Sequence, residues 1–380
     1  MFLHLIAPDP KFPKLIRKLF ESASSENHTF IIIADGKKKE PSLEGDFITI
    51  QSPNQLSQIL STQKNWSGIF LHGLLLKAEP FVRIIPTEIK ISWLIWGYEI
   101  YRVQFPKNRD LLDPETHRYA FGKNRCSKID STSPLFFFTR TQRKKRRRKS
   151  ATEYLFQRIT YIVTQFETEY NLLKEWGYLT ASNQWHGTPV LKIDDLIGSK
   201  PCKLPTQGND IQVGNSATVT NNHIDVFKKL ASLELGNRRI ITPLSYGDPA
   251  YRDHVIAQGN KILGDRFSPI TGFMPLDEYL KQFENCSTTI INTHRQQGVG
   301  NILASIWQGR IIYLGESAVL TSYRKQGLPV YSFNEEFDLN RPPINQQQAL
   351  EFRDKIQETV GENAIFNSIS SLLKKMSTPR

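Results

Sequence analysis

The chain has 380 residues, 39% of them hydrophobic and 11% aromatic. This composition excludes a disordered chain, and the length favours two domains over one core. The net charge is +12, no run of about 18 uncharged apolar residues could span a membrane, and the three cysteines lack metal-ligand spacing. The N-terminal sequence MFLHLIAPDPKFPK is broken by prolines and lacks a cleavage site, so we expect no secretory signal and a cytosolic chain.

The first half alternates apolar runs with amphipathic segments. It begins with a predicted strand, Phe2 to Ala7, and a helix, Phe12 to Glu21. Alternation of strands and helices predicts a parallel sheet that is covered on both faces. The next predicted strands are Thr29 to Ala34, Phe47 to Ile50, Gly68 to Leu71 and Ile89 to Ile95.

Residues 107 to 150 are polar and mostly aperiodic, which predicts a long loop before one long helix, Ala151 to Trp176. The eight Lys and Arg between Arg140 and Lys149 account for two thirds of the net charge. Three phenylalanines precede them, and aromatic rings beside clustered cations are typical of segments that bind anionic membranes. A solvated loop and a nucleic-acid patch are alternatives, and the absence of a surrounding binding module weakens the second. The predicted membrane-binding residues are Phe136, Phe137, Phe138, Arg143, Lys144, Lys145, Arg146, Arg147 and Arg148.

A linker is indicated near residues 196 to 212, where Gly, Lys, Pro, Asn and Asp become frequent. A second series of strands and helices follows, and two predicted helices close the chain. We therefore predict an α/β protein with two Rossmann-like domains facing a cleft, and ligands at the carboxyl ends of the strands. The predicted boundaries are 1–200, 201–340 and, for the C-terminal helices, 341–380. The predicted strands of the second series are Ile211 to Val213, Arg239 to Pro243, Phe267 to Thr271, Thr288 to Asn292 and Arg310 to Leu314.

Two segments that follow strands of the second series contain small polar residues. Glycine lets a ligand approach the backbone, and free N–H groups at a helix start favour phosphate, so VGNSAT at Val213 is suited to binding phosphate. Helix capping explains the same residues equally well. For the second segment, PLSYG at Pro243, a turn is as good an explanation as a sugar contact. The candidate donor-binding residues here are Gly214, Asn215, Ser216, His223, Ser245 and Tyr246.

A third segment, GFMPLDEYL, contains an apolar pair before a helix start. Phe273 and Met274 could sandwich a nucleobase, with Pro275 at the first helical turn. The acid Glu278 lies near the positive end of the predicted helix and is a further candidate contact. A hydrophobic staple is the structural alternative.

The fourth segment, Asn292 to Asn301, is the most informative. Arg295 is suited to neutralising a diphosphate, two glycines admit the backbone near it, and the helix start donates N–H groups. Gln297 and Asn301 lie one turn apart, where they could bond ribose or sugar hydroxyls. Packing explains poorly why polar side chains in a row precede an apolar helix. The predicted donor contacts are Arg295, Gln296, Gln297, Gly298, Gly300 and Asn301.

These four segments, in this order, resemble those of a known family. GNSATVTNNH, PLSYG, GFMPLDEYL and HRQQGVGNI look like the motifs of the TDP-N-acetylfucosamine (Fuc4NAc):lipid II transferase family, glycosyltransferase family 56. In the first half, HGL at His72 and WGYEIY at Trp96 resemble further family segments. The second departs from the family at Glu99, where Asp is expected. The resemblance covers most of residues 70 to 330.

The resemblance implies a GT-B fold and a hexosyltransferase. It implies transfer of a 4-acetamido-4,6-dideoxyhexose from a TDP-sugar to a polyprenyl-diphosphate-linked saccharide, as in enterobacterial common antigen synthesis. It implies no metal requirement. We expect a peripheral enzyme at the cytoplasmic face of the bacterial inner membrane, with no cofactor and no nucleic-acid partner. The sequence agrees on metal, because no Asp-x-Asp pair is present.

A catalytic base is harder to assign. Glu99 follows an apolar strand and could deprotonate an acceptor hydroxyl if the reaction inverts the anomeric centre. His72 and His223 are alternative candidates. A different class of function stays open: a basic nucleic-acid- or membrane-binding protein without catalysis on a degenerate GT-B fold. A dinucleotide enzyme is disfavoured, because no G-x-G-x-x-G follows the first strand.

Overall fold

The computed structural model describes residues 1–9, 12–34, 47–63, 65–105, 108–122, 147–198 and 208–378. These residues form two compact units. Unit 1 holds the described residues of Met1–Gln104, Lys128–Val190 and Asn363–Arg380, and unit 2 holds those of Phe105–Ser127 and Leu191–Glu362. Each unit is built on one parallel β-sheet, as the alternating pattern predicts.

Unit 1 contains a seven-stranded parallel sheet. Its strands are β1 (Phe2–Ile6), β2 (His28–Ile33), β3 (Ile48–Ile50), β4 (Gly68–His72), β5 (Ile91–Leu94), β6 (Tyr161–Val163) and β7 (Gln184–His186). They lie in the order β3-β2-β1-β4-β5-β6-β7, so the direction of strand addition reverses between β1 and β4. Every residue of β1 and β4 is buried, as expected for central strands of a sheet covered on both faces.

Unit 2 contains a six-stranded parallel sheet. Its strands are β8 (Asp210–Val213), β9 (Ile240–Pro243), β10 (Phe267–Ile270), β11 (Cys286–Ile291), β12 (Ile311–Leu314) and β13 (Val330–Ser332). The order β10-β9-β8-β11-β12-β13 repeats that of the first six strands of unit 1, which is the Rossmann order. The predicted strands of this half agree with the observed ones to within two residues at each end, and β13 is an addition.

The helices of the described ranges connect these strands or follow them. In chain order they are α1 (Phe12–Ala23), α2 (Pro53–Thr62), α3 (Leu75–Val82), α4 (Tyr98–Gln104), α5 (Pro114–Phe121), α6 (147–158), α7 (Glu167–Glu175), α8 (His223–Ala231), α9 (Pro249–Leu263), α10 (Leu276–Lys281), α11 (Val299–Trp307), α12 (Ala318–Lys325), α13 (Gln346–Val360) and α14 (Glu362–Ser377).

The core of unit 1 contains histidines among its phenylalanines. His4, on β1, is fully buried, and its ring stacks on Phe30 and Phe70 with centroids 4.5 and 4.9 Å away. Its ring nitrogens lie 3.0 Å from His72 Nε2 and 2.9 Å from His28 Nδ1. Burial lowers the pKa of His72 to about 3 and lowers that of His4 well below its ordinary value. Both side chains are therefore neutral at neutral pH.

The loop predicted for residues 107 to 150 is wrong in part, because it contains helix α5. Pro114 occupies the first helical turn. The carboxylate of Asp225 accepts the backbone N–H groups of Glu115 at 2.8 Å and Thr116 at 3.0 Å. A partner more than 100 residues away thus satisfies the N-terminus of α5, and a local pattern cannot reveal it.

The single helix predicted for Ala151 to Trp176 is also wrong. The structure has α6, then β6, then α7 in this region. β6, with the sequence YIV, pairs with both β5 and β7, and aromatic and β-branched residues suit a strand buried in this way.

The two units divide the chain differently from the predicted boundaries. Helix α14 contributes Ile365, Ile369 and Leu372 to the same apolar cluster as Phe2 of β1, so it is part of unit 1. Helix α13 belongs to unit 2, and so does the segment that carries α5. The expected pair of C-terminal helices is therefore shared between the units.

Candidate functional site

Two loops of unit 2 begin where its strand order reverses. β8 and β11 are neighbours in the sheet, with Val213 opposite Ile290, and the Gly214 N–H donates to the Ile290 carbonyl oxygen at 2.8 Å. One loop starts at Gly214, and the other runs from residue 292 to Gly298, where α11 begins. In open α/β sheets, ligands bind at this reversal, beyond the carboxyl ends of the strands.

Glycines allow close packing at both loops. Gly214 and Gly298 have φ values of +73° and +69°, which side-chain-bearing residues rarely adopt. A Cβ on Gly214 would lie 2.5 Å from His223 Nε2, and one on Gly298 would lie 3.2 Å from Asn215 Cγ. Gly298 is the N-cap of α11, and no side chain caps that helix. The first-turn N–H groups of α11 therefore suit an anion.

A chain of hydrogen bonds joins three of the four predicted segments. Asn215 donates from Nδ2 to the Tyr246 hydroxyl at 2.9 Å, and its Oδ1 accepts from Gln297 Nε2 at 3.0 Å. The Thr220 hydroxyl donates to Gln297 Oε1 at 2.6 Å, and Arg295 Nε donates to that hydroxyl at 3.3 Å. The structure therefore brings together Asn215, Tyr246, Arg295 and Gln297 from three separate motifs.

The backbone of the second loop also positions Arg295. Its guanidinium NH1 group donates to the carbonyl oxygen of Gln296 at 2.9 Å, and its own carbonyl oxygen accepts from the Thr293 hydroxyl at 3.0 Å. The side chain is half-buried and lies on the loop that leads into α11. A cation and a helix N-terminus on one short loop are suited to a diphosphate.

The two apolar residues of the third motif differ in their exposure to solvent. Phe273 is 86% exposed in the loop between β10 and α10, and this exposure leaves its ring face open to a planar ligand. Met274 instead packs against a buried cluster that includes Phe283. Glu278 is exposed in the first turn of α10, and Ser245 is half-buried after β9.

Two predicted donor contacts are buried inside unit 2. His223 has no exposed surface, its Nδ1 lies 3.2 Å from the Tyr251 hydroxyl, and burial lowers its pKa to about 3. Ser216 is 1% exposed, and its hydroxyl lies 2.9 Å from that of Thr218. These contacts are structural, and a role of either residue toward the donor stays a prediction.

Asn301 and Gly300 also have partners within unit 2. Asn301 Oδ1 accepts from the Tyr279 hydroxyl at 2.7 Å and from Gln212 Nε2 at 3.4 Å, which ties α11 to α10 and β8. A Cβ on Gly300 would lie 3.1 Å from a methyl carbon of Leu196, so this glycine allows close packing at the helix start. Their predicted contacts with the donor stay predictions.

Sequence reasoning missed Asp113, which precedes α5 and belongs to unit 2. Its carboxylate accepts from Asn292 Nδ2 at 2.6 Å and lies 2.8 Å from His294 Nε2. Its backbone N–H donates at 2.9 Å to Oδ1 of Asn222, the N-cap residue of α8. The Asp-Pro pair at Asp113 and Pro114 is a helix-start signal that could have located α5, but nothing local indicates these partners.

Glu99, the candidate base, lines a pocket of about 220 Å³ in unit 1. Glu99 is 4% exposed, and its two carboxylate oxygens accept the Trp96 backbone N–H at 3.1 and 3.2 Å. His72, the other candidate, is absent from the described lining of this pocket and bonds to His4 in the core. The cations that line the pocket are Lys77, Arg102 and Arg148.

The predicted membrane-binding segment falls mostly outside the described residues. Phe136 to Phe138 and Arg143 to Arg146 are in that part of the chain, whereas Arg147 and Arg148 begin α6. Arg148 donates to the carbonyl oxygens of Arg102 and Val103. Within the described ranges, no helix is long and apolar enough to cross a bilayer, and no three His, Cys, Asp or Glu side chains are grouped to hold a metal ion.

Several solved structures share this architecture. The chain is similar to sucrose-phosphate synthase from Thermosynechococcus elongatus, with a TM-score of 0.63, 10% identity and 99% of both chains covered. It is similar to Anabaena HepE in complex with UDP, with a TM-score of 0.54, 11% identity, and 99% and 95% covered. It is also similar to a structure described as trehalose-6-phosphate from E. coli bound with UDP-2-fluoro glucose, with a TM-score of 0.59, 8% identity and 100% of both chains covered. These likenesses confirm the predicted fold, two Rossmann-like domains of the GT-B type.

A family match covers most of the second half of the sequence. Residues 191–364 match the family described as 4-alpha-L-fucosyltransferase glycosyl transferase group 56. The predicted resemblance to family 56 is thereby confirmed, and the chain is a glycosyltransferase of the hexosyltransferase class. The matched residues include all four loops and helix starts described for unit 2.

Proposed function

We propose that the chain transfers a 4-acetamido-4,6-dideoxyhexose, a sugar like Fuc4NAc, from a TDP-sugar to a polyprenyl-diphosphate-linked saccharide in surface glycan synthesis. One observation carries the proposal: Arg295, the uncapped start of α11 and the Asn215–Gln297 amide pair meet at the strand-order reversal of unit 2. The family match over the same residues supports it.

The proposed donor occupies this site with its diphosphate at the start of α11. Arg295 and the first N–H groups of α11 face the two phosphates, and Gly298 lets them approach the backbone. The exposed ring of Phe273 stacks on the thymine, and the amides and the Tyr246 hydroxyl meet the sugar hydroxyls. The nucleotides in the similar Anabaena and E. coli structures, UDP and UDP-2-fluoro glucose, support a nucleotide-sugar donor.

In the proposed reaction, the bond between the sugar C1 and the diphosphate oxygen breaks and leaves charge on the TDP. Arg295 and the helix start stabilise that charge without reorganisation, which favours the transition state over the bound donor. We propose that this device acts without a metal ion. Turnover should therefore persist in excess EDTA, and turnover that is lost on chelation and restored by magnesium would contradict this part of the proposal.

We propose that Glu99 of unit 1 removes the proton from the acceptor hydroxyl. It lines a pocket with three cations, and cations are suited to an acceptor that carries a diphosphate. Glu99→Gln should lower kcat by at least about 100-fold, the usual range for a general base. TDP affinity should stay within about twofold, because a glutamine keeps an oxygen for the Trp96 N–H. Glu88→Gln, an exposed carboxylate of the same unit, is the matched control.

The proposal places the enzyme at the cytoplasmic face of the inner membrane, because a polyprenyl-linked acceptor stays in the bilayer. The basic run between Arg140 and Lys149, with its preceding phenylalanines, supplies the membrane contact. This contact accounts for the run without a nucleic-acid partner.

A mass-spectrometric transfer assay tests the whole proposal. Purified protein is incubated with TDP-Fuc4NAc, other TDP-sugars or UDP-sugars, together with a bacterial membrane lipid extract. The expected product is a polyprenyl-diphosphate saccharide whose mass increases by one acetamido-dideoxyhexose. Transfer from UDP-sugars alone, or to a water-soluble acceptor alone, would contradict the proposed donor or acceptor.

A further inference from the structure

His294 of unit 2 lies between two hydrogen-bond acceptors. Its Nε2 is 2.8 Å from Asp113 Oδ1, and its Nδ1 is 3.3 Å from the carbonyl oxygen of Glu316. A neutral imidazole has one N–H group and could serve only one of these acceptors, whereas an imidazolium has two and serves both. The geometry therefore selects the charged form of His294.

The carboxylate that faces His294 is held in place by several elements. Asp113 also accepts from Asn292 Nδ2, and its backbone N–H donates to Asn222 Oδ1. The Asn222 amide donates in turn to the carbonyl oxygens of Asn292 at 3.0 Å and Leu111 at 3.3 Å. Asn222 is fully buried and adopts a φ of +52°. This network joins the segment before α5 to the loop after β11.

The loop held in this way is the one proposed to bind the donor diphosphate. His294 directly precedes Arg295, and the same loop ends at Gly298, the start of α11. The titratable and charged groups around His294 are Asp113 before α5, Glu316 before α12, and Arg295 on its own loop. The Glu316 carboxylate bonds to the Ser332 hydroxyl of β13, so Asp113 is the side-chain partner of the imidazolium.

The hydrogen bond that His294 donates to Asp113 raises the pKa of His294 above its ordinary value of 6.5, in agreement with the geometry. The pair has no net charge, so it adds little to the attraction for a distant anion. Its effect is positional: on deprotonation, His294 keeps one of its two hydrogen bonds and the other acceptor is left facing a lone pair.

We propose that Asp113 and His294 are positioning residues for donor binding: Asp113 holds His294 as an imidazolium, and the two hydrogen bonds of His294 fix the loop that carries Arg295 and the start of α11. This inference rests on the proposed function of that loop. It predicts that donor affinity decreases as pH rises through the titration of His294, although neither residue touches the donor.

Two measurements test the inference on the full chain. The first is the proton NMR titration of His294 without ligand, assigned by its absence in His294→Gln. The second is calorimetry with TDP-glucose between pH 5.5 and 9. The diphosphate of this probe is esterified at both ends, so the probe has no proton that titrates in that range.

In the parent, the His294 signal should titrate above pH 6.5, and TDP-glucose affinity should fall by about tenfold across the same interval, the usual effect of one lost hydrogen bond. In Asp113→Asn, which keeps the shape but not the charge, both midpoints should move to lower pH by about one unit. In His294→Gln, affinity should not vary with pH. Asp265→Asn, an exposed carboxylate of unit 2, should behave like the parent.

The outcomes separate the inference from the proposed function. An unchanged His294 midpoint in Asp113→Asn, or parent affinity that is flat across the titration, overturns the inference while donor binding remains. If TDP-glucose fails to bind the parent at every pH, the proposed donor site and the positioning role both fail, and the NMR titration still decides whether Asp113 keeps His294 charged. If Asp113→Asn does not fold, pH-dependent affinity in His294→Gln overturns the inference.

Discussion

Units 1 and 2 share the Rossmann strand order over six strands, and the order reverses between β1 and β4 in one and between β8 and β11 in the other. The residues after these strands differ between the units. β8 and β11 lead into Gly214 and into the loop of Arg295 and Gly298, whereas β1 is followed by Ala7-Pro8-Asp9 and β4 ends at a buried His72. The strand order thus determines where on the sheet a ligand site can form, and the loop residues determine whether an anion can bind there.

Histidines show the same contrast. His4 and His72 of unit 1 are packed among phenylalanine rings and kept neutral by burial. His294 of unit 2 lies between two acceptors and is kept charged by Asp113. Histidine therefore packs in the core of unit 1 and positions a loop in unit 2, depending on its partners.

The largest expected effect concerns the basic run, which we expect to bind anionic membranes and not the nucleotide. Replacing Arg143 to Arg147 with serine should weaken binding to anionic vesicles by several kcal/mol, at about 1 kcal/mol per cation, with less effect at high salt. Arg148 is retained because it bonds to backbone carbonyls of unit 1. TDP affinity, which we attribute to unit 2, should not change. Liposome co-sedimentation and calorimetry measure the two effects.

A matched variant separates aromatic from ionic contributions to membrane binding. Replacing Phe136 to Phe138 with serine should weaken binding to neutral and anionic vesicles alike, with little salt dependence. If the serine variant of Arg143 to Arg147 sediments as fully as the parent, the basic run is a solvated loop and has no membrane role.

The next effect tests the anion site of unit 2. Arg295→Ala should weaken TDP binding by about 1.5–3 kcal/mol, the size of a hydrogen bond to a charged group. Arg252→Ala on α9, where the side chain faces Asp253, is the control and should leave affinity unchanged. Calorimetry on both variants, checked for folding, decides the matter. Equal affinities would mean that the loop after β11 does not bind the diphosphate.

A smaller effect tests the close packing of Gly214 against His223, the first residue of α8. Gly214→Ala should lower the free energy of unfolding by about 2 kcal/mol, because it adds a collision with His223 to the strain of a positive φ. Gly177→Ala in unit 1 has a similar φ of +72° and no atom within 4 Å of its Cβ, so it should lose about 1 kcal/mol. Urea unfolding of both variants isolates the collision. Equal losses would show that the His223 side chain moves away from the added Cβ at little cost.

The smallest expected effect is the pH dependence of the stability that the buried His72 contributes. His72 is neutral when folded, with a pKa near 3, and titrates near 6.5 when unfolded. Its contribution to stability is present above pH 6.5 and is lost as the pH falls toward 3. At pH 5.5, unit 1 should therefore lose about 1 kcal/mol for this group, and His72→Gln should lack that loss. Tryptophan fluorescence reports mainly on unit 1, which contains five of the six tryptophans.

His294 should show the opposite sign. Its pKa is raised in the folded chain, so the stability it provides is complete below pH 6.5 and is lost as the pH rises through the raised value. If the stability of the parent and of His72→Gln varied with pH in the same way, the prediction that burial keeps His72 neutral would be contradicted. If the stability of Asp113→Asn varied with pH as that of the parent does, the prediction that Asp113 keeps His294 charged would be contradicted.

Much of unit 2 could be predicted from local pattern. Five of its six strands were predicted from short segments that contain apolar residues, and the four motifs follow strands or open helices, as predicted. The contacts among Asn215, Gln297 and Arg295 were not predictable in detail, because they depend on how two loops are placed together whose contacting residues are up to 82 positions apart. The contacts of His223 and Asn301 within unit 2 were not predictable for the same reason. The sequence does not distinguish a polar residue that faces a ligand from one that faces the core.

The sequence by itself determined the fold class, the second series of strands, the positions of the four motifs and the resemblance to family 56. Hydrophobic periodicity and Gly-rich helix starts act over a few residues, so they are visible in a linear chain. Only the tertiary structure decided that α5 packs in unit 2, that α14 completes unit 1, and that Asp113 pairs with His294 across 181 residues. Short helices and half-buried ion pairs are stabilised by distant partners, and those partners leave no periodic signal beside them.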